Sequence, residues 1–226
     1  LGQRHKDIKN QMTAPPKLTL KNMLNMATKP HWCLGMLKTR RHGFANIIGH
    51  ATGVEDLNSL SEWSANTLMR TLNWSDLDWI IKRWGGKVVL KGIQDVEDAK
   101  MAVKTGADAI VVSNHGGRQL DGALSSIRSL PSIIDAVGDQ IEVWMDSGIR
   151  SGQDVAKAVS IGAKGVMIGR PFVYGLGAMG QKGVSKALDI IHKELDTTMA
   201  LCGERKITDM NRDNLLIPKG FRGDWE

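Results

Sequence analysis

Residues 109–122 read AIVVSNHGGRQLDG. Four apolar residues, two of them valine, run straight into a serine, an asparagine, a histidine, two glycines and an arginine. An apolar run this short, closed by a glycine turn, reads as a strand at 109–113 buried on both faces, the kind found in parallel sheets rather than hairpins. Working outward, the same beat repeats on either side. Ser75, Asp76, Leu77 and Asp78 cap an amphipathic helix to about Trp84, ended by Gly85 and Gly86, and 87–91 reads as a short buried strand. A helix at 95–105 closes at Gly106. Beyond the quoted stretch come a helix at 126–137, a strand at 141–146, a helix at 152–161, a strand at 165–168 and a long last helix over 182–201. Strands alternating with helices in this way predict a parallel sheet covered by helices.

Two parallel architectures compete, the open doubly wound sheet and the closed eight-stranded barrel. The open sheet usually carries a Gly-x-Gly-x-x-Gly turn after its first strand, which this sequence lacks. In a barrel, chemistry comes from the C-terminal ends of several strands. The polar residues follow that rule: Lys91 ends the first strand, Asn114 and His115 follow the second, Asp146 ends the third, and Gly169 and Arg170 follow the fourth. The fold class expected is therefore α/β, a TIM (β/α)8 barrel. Residues 1–74 offer no convincing further strands, so the chain reads as the C-terminal half, four βα units, of a single barrel over 1–226.

The 226 residues have a net charge of +6, unevenly spread. Between Asp7 and Glu55 there is no acidic residue, while Lys9, Lys17, Lys21, Lys29, Lys38, Arg40 and Arg41 all fall there. Such asymmetry points to a partner, but no nucleic-acid-binding signature accompanies it. Cys33 and Cys202 stand far apart and outside metal-ligand spacing, which argues for reduced, structural thiols and no metal site. No apolar run approaches the length of about 18 residues that a membrane span needs, and the first residues lack a signal-peptide core, so a cytoplasmic location is expected.

Three groups of residues carry candidate chemistry. Asp146, Ser147, Gly148, Ile149 and Arg150 form a glycine turn leading into a helix N-terminus, where exposed N–H groups and the helix dipole favour an anion. Gly169 and Arg170 repeat the theme after the next strand. Either turn alone reads as a tight βα connection; together, on what would be the last two strands of a barrel, they point to phosphate. Lys91 would be costly if buried unpaired, so it either snorkels to the rim or faces a negative group. His115 can take a proton near neutral pH, and Arg118, three residues on, offers a fork suited to a carboxylate. A base beside an anion clamp suggests proton abstraction next to a carboxylate; the plainer alternative is a capped turn with a structural histidine.

Taken in order, "VVLKGI", "VVSNHGGRQLDG", "DSGIRSGQDVAKA" and "GVMIGRPFVYGLG" resemble the FMN-dependent 2-hydroxy acid dehydrogenase and oxidase family, most of all its bacterial respiratory L-lactate dehydrogenase branch. The opening LGQRHKDIKN is similar to the segment after that family's fourth barrel strand. The resemblance implies FMN as cofactor and oxidation of a small L-2-hydroxy acid, with quinone, cytochrome or oxygen as electron acceptor. It implies His115 as base, Arg118 and Arg4 as carboxylate ligands, and Lys91 and Ser113 beside the flavin. Asp146, Ser147, Gly148, Ile149, Arg150, Gly169 and Arg170 fall to the FMN phosphate region. A homo-oligomer is implied too, as is an N-terminal half carrying the aspartate that orients the histidine. Residues 17–46 mix Met23, Leu24, Met26, Trp32, Leu34, Met36 and Leu37 with cations. They form a basic amphipathic insertion at the position where membrane-associated members of that family contact the bilayer, which implies a peripheral place on the cytoplasmic face of the inner membrane. Two readings compete with this one: a phosphosugar or nucleotide barrel enzyme without flavin, and a half barrel without catalysis.

Overall fold

The computed structural model describes residues 5–11, 17–39, 46–47, 50–54, 59–60, 63, 66–67 and 71–221. The chain divides into two compact units, Leu1–Leu72 and Asn73–Glu226.

In the first unit, α1 (His5–Lys9), α2 (Leu20–Ala27) and α3 (Pro30–Lys38) are described. Thr19 caps α2 by accepting the Asn22 N–H, and Pro30 opens α3, where a missing N–H costs nothing. The burial of α2 runs against its polarity. Asn22 is buried, its amide donating to Lys17 O at 2.9 Å, whereas Leu20, Met23 and Leu24 are exposed. Trp32, Leu34 and Leu37 on α3 are exposed as well.

In the second unit the order is α4 (Asp76–Trp84), β1 (Val89–Ile93), α5 (Val96–Lys104), β2 (Ala109–Val112), α6 (Ser126–Val137), β3 (Glu142–Met145), α7 (Gly152–Ile161), β4 (Gly165–Val166), α8 (Arg170–Met179) and α9 (Gln181–Leu201). The strands form one parallel sheet in the order β1-β2-β3-β4. Parallel neighbours in sequence order need a crossover helix each, and α5, α6 and α7 supply them. The core lies between sheet and helices: Ile110 and Val112 of β2 and Val143 and Met145 of β3 pack with Ala99, Ala102, Leu130, Ile133 and Ala158.

Four local readings of the sequence need correction. The strand expected at 87–91 lies two residues later and is not buried, since β1 is an edge strand with Val89 about half exposed; only Ile93 is buried. Lys91 accordingly sits within β1, next to a bulge at Gly92, whose φ of 107° suits glycine alone. Ser75 does not cap α4. It is itself helical, and Asn73 does the work, accepting from Ser75 N at 2.9 Å while its own N–H donates to Asp76 Oδ2 at 2.8 Å. Helix α8 has no counterpart in the sequence reading, which assigns no element between the strand at 165–168 and the helix at 182–201. Pro171 falls in the first turn, where it is tolerated, and Gly175 meets Gly183 of α9 so closely that a Cβ on either would strike the other's carbonyl.

The end of the described chain is tied back to the helices. Arg128 on α6 donates to Phe221 O at 2.8 Å and Gly220 O at 3.1 Å, and Arg212 reaches Asp135 at 2.6 Å and Ile161 O at 3.2 Å.

Candidate functional site

Parallel strands in register bring their C-terminal ends to one side of the sheet, so residues far apart in sequence meet there. A cavity of about 270 Å³ opens at that side. Its lining includes Lys91 from β1, His115 and Arg118 from the loop after β2, Asp146, Ser147, Gly148, Ile149 and Arg150 after β3, and Gly169 and Arg170 after β4. Ser113 is buried beneath it. Arg4 lies outside the described residues. Sequence reasoning missed Met167, Ile168, Pro171 and Val173, which also line the cavity; the first two read only as strand and the others fell in no assigned element.

The loop carrying His115 is strained and then fastened. His115 has φ 57° and Ser147 φ 72°, and among the described residues only Gln11 shares that left-handed region without being glycine. His115 N donates to Ser113 Oγ at 3.1 Å, and Gly116 N donates to Ser147 Oγ at 2.8 Å. Arg170 Nη2 donates to Gly116 O at 3.2 Å, so loops after β3 and β4 both grip the residue next to the histidine. A side chain at Gly116 would meet that guanidinium. On the far side of the loop, Asn114 accepts from Gly117 N at 3.0 Å and donates to Leu124 O at 3.2 Å.

Beneath the loop, Lys91 forms an ion pair with Asp146 and donates to Ser113 Oγ at 2.8 Å. Ser147 Oγ donates to Asp146 Oδ1 at 2.7 Å, and Asp146 N bonds Val112 O at 3.1 Å. Burial pushes the Asp146 carboxyl up, but the hydrogen bonds and charge of Lys91 and the neighbouring hydroxyls of Ser147 and Ser113 together outweigh it and hold the group below its ordinary value. The carboxylate is thus ionised and fully engaged.

The expectation of free amides at the start of α7 is not met. Ser151 and Asp154 form a capping box: Asp154 accepts from the N–H groups of Arg150 at 2.9 Å and Ser151 at 3.1 Å, and Gly152 N donates to Glu194 at 2.9 Å. The start of α8 differs, since no side chain caps it and Gly169 leads directly into Arg170. Two guanidinium groups, glycine turns and an uncapped helix end are the donor set a phosphate needs. Also in the lining, the ammonium of Lys91 suits an electron-rich ring edge. The donors present therefore fit a flavin nucleotide. Among the described residues no cluster of metal-ligating side chains occurs. A larger cavity of about 560 Å³ between α6, α7 and the 214–221 segment shares Ser147, Gly148 and Ile149 but is mostly apolar; the ionisable groups needed for proton transfer lie in the smaller one.

Comparison with known proteins agrees. Residues 1–217 match the family described as FMN-dependent dehydrogenase. The L-lactate dehydrogenase of Stenotrophomonas maltophilia is 45% identical over 219 residues, 95% of this chain and 57% of the relative. That of a Caulobacter species is 44% identical over 95% of this chain and 56% of its own length. The chain thus spans little more than half the length of the curated relatives it matches. Among solved structures, (S)-mandelate dehydrogenase, described as a monotopic membrane protein, superposes with a TM-score of 0.85 at 33% identity over 95% of this chain and 57% of that one. A mandelate oxidase in complex with benzoyl-formic acid superposes with a TM-score of 0.60 at 45% identity over 62% of this chain and 42% of that one. The α/β fold of the TIM-barrel type is borne out, this chain contributing four parallel βα units.

Proposed function

The chain belongs to the FMN-dependent dehydrogenase family, and from that premise we propose that it forms the active-site half of an enzyme that oxidises a small L-2-hydroxy acid, L-lactate in the first instance, to the 2-oxo acid. The observation that carries the reading is a histidine and an arginine on one fastened loop, sharing a cavity with a lysine from the neighbouring strand. Arg150 and Arg170, with Gly148 and Gly169, hold the cofactor's phosphate, while Lys91 and Ser113 serve its ring. FMN, when bound, supplies a two-electron acceptor. Arg118 forks onto the substrate carboxylate and fixes its orientation; Arg4 is its expected partner. His115 takes the proton released as the hydroxyl carbon is oxidised.

In a family member completed by the other βα units of its barrel, anaerobic addition of L-lactate should bleach the flavin absorbance, and D-lactate should not. His115→Gln should leave flavin bound and slow that reduction about a hundredfold or more. Flavin reduction at the wild-type rate removes His115 from the mechanism. Arg118→Met should weaken binding of oxalate, a dicarboxylate that needs the same fork, by about tenfold or more; unchanged oxalate binding rejects the clamp.

Electrons then pass to quinone or a cytochrome. The likeness to mandelate oxidases favours oxygen as a second reading, and oxygen uptake compared with quinone reduction in the same preparation decides between them. For residues 17–46 we propose a place at an anionic membrane surface, in keeping with a homo-oligomer on the cytoplasmic face of the inner membrane. Two features support it: the outward apolar residues of α2 and α3 beside an acid-free run of cations, and the monotopic character of the mandelate dehydrogenase. No helix among the described residues is long and apolar enough to cross a bilayer, so attachment would be from one side.

A further inference from the structure

Both peptide N–H groups that flank the His115 α-carbon are held by serines, and both serines connect to one carboxylate, Ser147 directly and Ser113 through Lys91. His115 N donates to Ser113 and Gly116 N to Ser147, and Ser147 donates in turn to Asp146. Lys91 closes the ring by touching Asp146 and Ser113 together. Left-handed backbone is unfavourable for a residue with a β-carbon, so the φ values of His115 and Ser147 need an outside cause. At Ser147 glycine would be the cheaper choice, yet a hydroxyl stands there with one bond donated and one accepted. A carboxylate in this position repels a phosphate rather than binding it.

We infer that Asp146 is a positioning residue for His115: through Ser147, and through Lys91 and Ser113, it holds the strained backbone that presents the imidazole to the cavity. The sequence reading placed Asp146 with the phosphate ligands; the geometry makes it a strut across three neighbouring strands. This rests on the reading of His115 as base, but the strut can be tested apart from it.

The test is a double-mutant cycle on the FMN-loaded enzyme, with Ser147→Gly, Asp146→Asn and the pair. Ser147→Gly keeps the left-handed backbone accessible but removes both hydrogen bonds that fasten it, so the limiting rate of flavin reduction should fall about ten- to a hundredfold. The dissociation constant for substrate should change far less than the rate. In the Asp146→Asn background Ser147→Gly should cost little more, because the shared strut is already gone. Should Asp146→Asn fail to fold, Ser113→Ala replaces it in the cycle. A Ser147→Gly enzyme that reduces at the wild-type rate, or effects that multiply independently in the double variant, overturn the inference. If no 2-hydroxy acid reduces the wild type, the proposed function fails instead. The strut is then judged on flavin-free protein, where hydrogen exchange at the His115 and Gly116 amides must speed up in Ser147→Gly, and unchanged exchange rejects it.

Discussion

Helices α2 and α6 are both amphipathic, yet they bury opposite faces. In α6, Ser126, Leu130, Ile133 and Val137 recur at helical spacing and are all buried, the last three within the core cluster of the second unit. In α2 the buried residue is Asn22, satisfied by a backbone carbonyl, and the leucines face outward. Helix α6 is explained by the core it helps to make, whereas α2 turns its apolar residues away from the rest of its unit and buries a satisfied asparagine instead.

Three measurements probe the contrast, from the largest effect to the smallest. Leu130→Ala removes a fully buried side chain and should cost about 2–5 kcal/mol of stability by urea unfolding; a cost under about 1 kcal/mol would mean that α6 is not anchored as described. Acid should weaken the second unit next. Asp146 has a lowered carboxyl pKa, so it contributes stability above its ordinary value of 3.8, and this is lost as pH falls through the still lower folded value. The stability gap between wild type and Asp146→Asn should therefore be full near neutral pH and close in strong acid. A gap independent of pH contradicts the charge network. Least of all, Leu24→Gln, an exposed exchange between good helix formers, should move stability by no more than about 0.5 kcal/mol. The same change should still reduce sedimentation with anionic vesicles at low salt. Unchanged sedimentation rejects α2 as the contact.

Much of the fold was legible because buried runs and their punctuation coincide. Strand β2 and helices α6 and α7 fall within a residue of where periodicity and glycines place them. Strand β1 slipped because the sequence run Val88, Val89, Leu90 hides a bulge at Gly92 and an exposed edge, neither of which periodicity encodes. Helix α8 was illegible because Gly175 serves close contact with α9, a tertiary reason. The same limit applies at the site. The loop after each strand announced its polar residues, and the cavity gathers them. That Asp146 would be shared between Lys91 and Ser147, or that α7 would use up its own N-terminal amides, follows only once the strands lie side by side.

One tie in this chain also sets an order in time. Arg128 emerges on α6 about ninety residues before the carbonyls of Gly220 and Phe221 that it holds. Contacts so distant in sequence close late, since the entropy of the intervening loop must be overcome before they form. During synthesis the sheet can assemble while this arginine still lacks those two acceptors. The closing segment then acts as a latch on a structure already made, and a chain stopped short of Gly220 should keep its sheet while unfolding faster.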